Sequence, residues 1–322
     1  MANSSQYATM LMEANFDAYS PMIKNSIDRF GGSYADSDFH KWTYGANTDW
    51  YDELLRTAVM TNHSIGISGG SDKSTYSLGM SYLAQDGIMD VKNNYKRLNF
   101  RAAIDYDATK WLKVGFNGVF SQSSQILPNN TAWQQAFNTP GLIPVYDNNN
   151  ENAKPEKYAS PKSIGLSDNF KNPVATANYY DSKNDLRQYM TNFYAQLNIV
   201  PEKLTFKTSI NYNYQNIDGR TFVPTYYVES NQQSNATSLT KTNTQYNNYI
   251  WDNTLTYKDS FGKHNFGAML GTSMRQETYK NLWGSAPNVP EGNDSYLYLG
   301  QGSTTGITLG DDGTKFRGLS YF

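Results

Sequence analysis

Residue-by-residue alternation runs through most of the chain after position 60. Between 74 and 84, Tyr76, Leu78, Met80 and Tyr82 share one face, and Thr75, Ser77, Gly79 and Ser81 the other. A period of two without slips predicts a strand with one apolar and one polar side. The pattern returns at Leu98, Phe100, Ala102, Ile104 and Tyr106, then at Leu112, Val114, Phe116, Gly118 and Phe120. It appears again at Leu204, Phe206, Thr208, Ile210, Tyr212 and Tyr214, and weaker versions cover 63–68, 189–199, 249–257 and 266–274. About eight amphipathic strands are expected.

Alternation alone fits a soluble sandwich and a membrane barrel equally; charge placement separates them. Arg97, Arg101, Asp105, Lys113 and Lys207 all fall mid-strand on the polar side. A Lys or Arg facing lipid at mid-bilayer costs about 2–4 kcal/mol, so a lipid-facing surface must be free of charge. These five residues are therefore candidate lumen-facing charges. The connections point the same way. Short links at 69–73, 108–110, 201–203 and 260–263 alternate with longer ones at 85–94, 123–185, 216–244 and 276–315. Strict alternation sends every long loop out of one end, as in outer-membrane barrels with tight periplasmic turns and extended outer loops. Several long unstructured loops are rare in one compact soluble unit. The expected fold is all-β: an antiparallel transmembrane β-barrel segment over 61–322, with long extracellular loops at 123–185, 216–244 and 276–315 that carry short helices.

Residues 1–60 break the alternation and are expected to form an extracellular loop segment with short helices. Ser20-Pro21 reads as an N-cap followed by proline at the first helical position, and Gly31 as the stop. Ile23, Ile27 and Phe30 give that helix one apolar side, and a second short helix is expected over 49–58. No charged, apolar and cleavage-site sequence precedes them, so no secretory signal is read here. The chain is expected to be a piece of a larger protein.

Composition narrows the classes. A net charge of −2 and a pI near 5.9 supply no basic field for nucleic acid. A mean hydropathy of −0.68 without a long apolar run excludes a transmembrane helix, though not a barrel, where only every second residue must be apolar. The 322 residues include no Cys, which removes thiol chemistry, and His40, His63 and His264 are too dispersed for metal-ligand spacing. Glycines leading to Lys73 and Ser74 look like a phosphate loop, but Asp72 stands where a glycine is required and a strand follows instead of a helix. A tight turn at 69–72, with positive φ at its glycines, is the better reading. The oxygen-rich run at 147–151 lacks the glycine and final glutamate spacing of an EF-hand, so a solvated turn is expected there, and another at Asp311-Asp312-Gly313. No Ser-His-Asp or paired-carboxylate arrangement stands out. No catalytic residue, metal ligand or cofactor is assigned, and the chain does not read as an enzyme.

Three stretches carry a resemblance: "NTDWYDELLRTA" at 47–58, "HSIGISGGSDKSTYSLGMSYLAQDGIM" at 63–89 and "YKRLNFRAAIDYDATKWLKVGFNGVFS" at 95–121. With "TPGLIPVYD" at 139–147 and "GLSYF" at 318–322, they resemble the SusC/RagA family of TonB-dependent outer-membrane transporters over nearly the whole chain. The resemblance implies uptake of large nutrients, oligosaccharides or peptides, through a plugged barrel of roughly 22 strands. It also implies energy delivered by a TonB complex and a SusD-like surface lipoprotein as lid, in the outer membrane of a Bacteroidota-type cell. The departures are as plain: about eight strands, no plug domain and no TonB-contacting box in this stretch.

Aromatics make up 15% of the residues, with 26 Tyr, enough for interfacial girdles and for ring-stacking loops alike. Trp133, Tyr146, Tyr158, Tyr226, Tyr227 and Trp283 fall in the expected outer loops and are the candidate ligand-binding residues. Their flat faces could stack on sugar rings or apolar side chains, with Asn148 and Gln134 to orient hydroxyls. The plainer reading is that they pack loop against loop. A passive porin-like barrel, or a surface ligand-binding or adhesion fragment without energised transport, is the alternative function.

Overall fold

The structure is a computed structural model and describes residues 2–292 and 297–322. Two short strands come first, β1 (Gly32–Ser33) and β2 (Thr43–Tyr44). The main strands are β3 (Met60–Ser71), β4 (Ser74–Asp86), β5 (Asn94–Asp107), β6 (Leu112–Leu127), β7 (Asp181–Val200) and β8 (Leu204–Val223). After a small hairpin of β9 (Tyr226–Glu229) and β10 (Gln232–Ser234) come β11 (Ser238–Phe261), β12 (His264–Pro287) and β13 (Thr308–Tyr321). Nine of these form one antiparallel meander in the order β3-β4-β5-β6-β7-β8-β11-β12-β13. It is an open sheet with β3 and β13 at its edges, and it holds one strand more than the periodicity predicts.

The register confirms the two faces. Met80 pairs with Phe100, Phe100 with Phe120, Phe120 with Tyr189 and Tyr189 with Tyr214, so the apolar positions share one side across five strands. Each one-residue slip would move a whole strand's apolar set to the wrong side, which is why the hydrophobic pattern fixes the pairing. The four short turns, 72–73, 108–111, 201–203 and 262–263, lie at one end of the sheet, and every longer connection lies at the other. Gly262 takes φ 61 in its turn, a conformation an L side chain resists.

The long loops are shorter than expected. β6 reaches Leu127, β8 reaches Val223 and β12 reaches Pro287, while β7, β11 and β13 begin at Asp181, Ser238 and Thr308. Alternation reports a solvent difference between two faces, not hydrogen bonding. Where the strands run on beyond the apolar zone both faces turn polar, and the pattern fades although pairing continues, as between Lys241 and Gly284. Asp311-Asp312-Gly313 is accordingly part of β13 and not a turn, and Trp283 stands on β12. Of the loop expected at 276–315, positions 293–296 lie outside the described residues. The turn expected at 69–72 narrows to Asp72 and Lys73; Gly69 and Gly70 stay in β3 and carry no positive φ.

At the long-loop end lies a cap. Its first helix, α1 (Ser4–Phe30), opens with a capping box in which Asn3 and Gln6 exchange bonds. It breaks at Asn15 (φ −163, ψ 97), whose side chain accepts from the Ala18 N–H at 3.1 Å and so caps the second half. The helix expected from Ser20-Pro21 thus starts much earlier and runs through Pro21, while Gly31 ends it as expected. α2 is only Trp50–Leu54, shorter than the 49–58 expected, with Asp49 as its N-cap. α3 (Thr131–Asn138) and α4 (Pro173–Asn178) come from the connection between β6 and β7. One hydrophobic core joins these pieces through Met12, Ile23, Trp50, Leu142, Ile143 and Ile164.

Candidate functional site: a polar wall beneath a folded cap

On the polar side of the sheet, cross-strand pairing lines up side-chain amides. Asn117 pairs with Asn192 and Asn192 with Asn211, and one strand over Asn213 pairs with Asn248. The Asn192 Nδ2 donates to Asn211 Oδ1 at 2.6 Å. The Oδ1 of Asn213 is buried without a protein partner. These groups, with Ser77 and Arg101, line a cavity of about 610 Å³ over the middle of the wall. An amide offers two donors and two acceptor lone pairs without charge. The wall therefore suits polar neutral surfaces, and it shows no nucleophile–base arrangement.

All five sequence-predicted charges stand on this side. Arg101 is opposite Val119, Lys113 opposite Gln196, and Gln196 opposite Lys207. Arg97 is opposite Ser123 and Asp105 opposite Gly115. Asp105 accepts from the Tyr194 hydroxyl, and the Lys207 ammonium lies 4.6 Å from the Tyr194 ring centroid, a cation–π contact. Arg275 donates to Glu277 through Nε at 2.7 Å on the same side. That the wall carries acids and amides from β11 and β12 was not legible, because their alternation is weak.

The six loop aromatics divide. Tyr146 stacks on Tyr158 at 5.0 Å, Tyr158 meets Tyr179 edge-on at 5.5 Å, and Tyr179 stacks on Tyr226 at 4.4 Å. Tyr158 is buried in the cap core, so its ring faces are used in packing. Burial pushes the Tyr158 hydroxyl far above the ordinary tyrosine range, and raises Tyr179 to about 12. Tyr227 exchanges both backbone bonds with Lys154, each at 2.9 Å, which pins the β9–β10 hairpin to the cap. Trp133 packs on Tyr51 at 5.1 Å yet keeps an exposed side over a cavity of about 770 Å³ with Ile88 and Asn93. Trp283 lines a separate cavity of about 570 Å³ with Lys241 and Leu299. Tyr179 and Tyr51 were not singled out from sequence, since nothing marks one tyrosine among many.

Two of the quoted sequence landmarks prove to be one structural joint. Trp50 is fully buried, and its Nε1 donates to Pro140 O at 3.2 Å. Thr48 donates through its backbone to Gly141 O at 3.0 Å and through its hydroxyl to Ile143 O at 2.6 Å. A side chain at Gly141 would meet Thr48 O at 2.6 Å, so the approach requires glycine. Asp147 closes the same region: its Oδ2 accepts from Arg29 Nε at 2.6 Å and its Oδ1 from Asn149 N at 2.9 Å. The run at 147–151 is thus a turn whose first carboxylate is buried against Arg29. Among the described residues no group of three or more His, Cys, Asp or Glu is placed to hold a metal.

A nine-stranded two-faced sheet with a folded cap at its long-loop end defines a segment of a barrel wall. No family model matches the chain. TonB-dependent receptor P3 of Formosa agariphila is 28% identical over 298 residues, 88% of this chain and 28% of that protein. TonB-dependent receptor P26 of the same organism is 24% identical, over 86% of the chain and 27% of that protein. TonB-dependent receptor SusC of Bacteroides thetaiotaomicron is 31% identical over 107 residues, 32% of the chain. Among solved structures, that of the RagAB peptide transporter matches 100% of the chain and 37% of its own, with TM-score 0.75 and 17% identity, which shows the fold. The chain is similar in sequence to TonB-dependent receptors, SusC among them, and in fold to the RagAB transporter. It spans less than a third of the length of the curated relatives it matches. Those relatives carry the name of receptors.

Proposed function

We propose that the chain forms part of the wall and outer cap of an outer-membrane barrel that imports large nutrients, oligosaccharides or peptides, with TonB supplying the energy. The observation that carries this reading is the charge-free apolar side of the sheet. On β5 the outward positions from Leu98 to Tyr106 are all apolar or aromatic, and on β7 those from Tyr189 to Ile199 hold no charge. The ionic groups Arg97, Arg101, Asp105, Lys113 and Lys207 face the lumen. Residues 2–59 and the connections at 128–180 and 224–237 form the extracellular side, on which a SusD-like lipoprotein sits as a lid. Exposed parts of Trp133, Tyr146 and Trp283 are the aromatic surfaces best placed to meet substrate, while Tyr158 and Tyr226 serve the cap. The relatives' names support the energised reading over a passive pore or an adhesion module.

The test is uptake by cells carrying the full-length protein, with and without TonB. Uptake of labelled oligosaccharide or peptide should vanish when TonB is deleted. Uptake that survives the deletion would reassign the protein to passive diffusion.

A further inference from the structure

Beyond the charge-free zone, the outward side of the sheet turns basic in an ordered way. Lys96 on β5 is the first outward residue past Leu98, Arg187 on β7 the first past Tyr189, and Arg317 on β13 the first past Leu319. Lys280 on β12 and Lys315 on β13 follow on the same side. All five are exposed. Their cross-strand neighbours are neutral: Lys96 faces Ala84 and Ser124, Arg187 faces Gln122 and Asn216, and Lys280 faces Gln245 and Gly313. Among the described residues Arg317 donates to the Gln276 amide oxygen, at 2.8 Å, and to no acid.

Further from the apolar zone the charges are different in kind. Lys183 pairs with Asp185 at 3.1 Å and Arg220 with Asp181 at 3.0 Å. Asp218 accepts from the Asn243 side chain. Lys183 and Arg220 are thus matched by acids and Lys241 lies over the Tyr298 ring at 4.7 Å, while the cations at the rim of the apolar zone are left without an ion pair among the described residues.

Resting on the membrane reading above, the geometry points to an anionic lipid-binding rim: Lys96, Arg187 and Lys280, extended by Lys315 and Arg317, hold the phosphates of phosphorylated glycolipids in the outer leaflet. The apolar and aromatic side chains beneath the rim, Leu98 below Lys96, Tyr189 below Arg187 and Leu319 below Arg317, take the acyl chains. Neighbouring strands stand about 4.8 Å apart, so the cations from β5 to β13 span about 29 Å of perimeter, a length matching a row of headgroups. A second copy of this chain would bring the same basic rim against itself, which charge repulsion opposes. A neutral lipid surface would leave the five cations uncompensated at the boundary where each is worth most.

The experiment uses the full-length protein in nanodiscs containing phosphorylated glycolipid, its dephosphorylated counterpart, or zwitterionic phospholipid alone. Glycolipid retained after extraction is counted by native mass spectrometry. Wild type should retain the phosphorylated form selectively, and K96Q, R187Q and K280Q should each lower its affinity about fivefold. The opposite-face variants K113Q and K207Q, which remove the same charge, should leave retention unchanged. Equal retention by the triple rim variant, equal retention of the dephosphorylated lipid, or equal loss in the opposite-face variants overturns the rim. Inorganic phosphate that binds as tightly as the lipid overturns the lipid as its occupant. Insertion is checked first by heat-modifiable migration: a wild type that does not insert overturns both readings, whereas insertion with unchanged lipid retention overturns this one alone.

Discussion

In the cap, Trp50, Leu142, Ile143 and Ile164 are fully buried, whereas in the sheet Ile65, Leu270 and Leu309 are 70, 70 and 74% exposed. Both regions spend apolar side chains freely, but only the cap closes them against one another. Its helices, connections and small hairpin bury one core, as a water-soluble unit must. The sheet turns every second side chain outward to meet something absent from water, and in water that side is a large aggregation-prone patch. The two regions need different solvents. The boundary between them is the place where strands lose their alternation and the outward side becomes charged.

Removing the cap's central side chain should separate the two regions most sharply. Trp50→Ala deletes a fully buried indole together with its bond to Pro140, and should cost the cap about 3–5 kcal/mol. Limited proteolysis should then cut within 128–180, while the strands keep heat-modifiable migration. Loss of barrel assembly in this variant would show that the cap and sheet fold as one unit.

Charging the sheet's two sides gives the next effect. Leu78→Arg and Phe206→Arg place a cation on the outward side, at about 2–4 kcal/mol each near mid-bilayer. Ser77→Arg and Ser209→Arg, one residue away on the polar side, should be tolerated. The folded fraction recovered in the outer membrane measures the difference, and equal damage from both pairs would overturn the two-faced assignment. The same contrast predicts that the 322 residues expressed alone give neither a stable soluble monomer nor defined single-channel currents.

Within the cap, Asn172 offers a smaller and more local break. It is fully buried, its Nδ2 donates to Val145 O at 2.9 Å and Ala159 O at 3.1 Å, and its Oδ1 caps α4 through Ala175 N at 3.2 Å. Asn172→Ala should cost about 2 kcal/mol, by losing the cap bond and the donor to Ala159 O, while Val145 O keeps the bond from Ala159 N at 3.0 Å. Cap protease resistance should fall, with the sheet unaffected.

The sheet was legible because lipid enforces a rule on every second residue. Four strong strands and the side taken by Arg97, Arg101, Asp105, Lys113 and Lys207 follow from that alternation alone. The cap was not legible, because its core draws single residues from distant stretches: Trp50 meets Pro140, Arg29 meets Asp147, and Tyr179 meets Tyr226. No local period encodes those pairings. β13 was missed for a different reason. Its Asp311, Asp312 and Gly313 read as a turn, yet pairing with β12 across Leu282 to Lys280 keeps them extended.

The smallest expected effect tests the tyrosine stack that holds the cap to the hairpin. Burial raises the Tyr179 hydroxyl to about 12, and burial raises Tyr158 and Tyr226 as well. An unfolded tyrosine ionises near 10, so the folded cap favours the neutral phenol. The resulting stabilisation is whole below about pH 10 and is lost as pH climbs toward about 12, where the folded Tyr179 itself ionises. Across that window the cap should weaken by about 1–2 kcal/mol, seen as rising protease sensitivity together with tyrosinate absorbance, while the sheet, lacking this buried stack, stays assembled. Tyr179→Phe keeps the ring against Tyr226 and removes the titration, at the cost of the bond its oxygen accepts from Glu156 N at 3.2 Å. The variant should be slightly weaker at neutral pH and flatter through the alkaline window. An unchanged alkaline slope in Tyr179→Phe would move the effect to the other tyrosines and take Tyr179 out of the account.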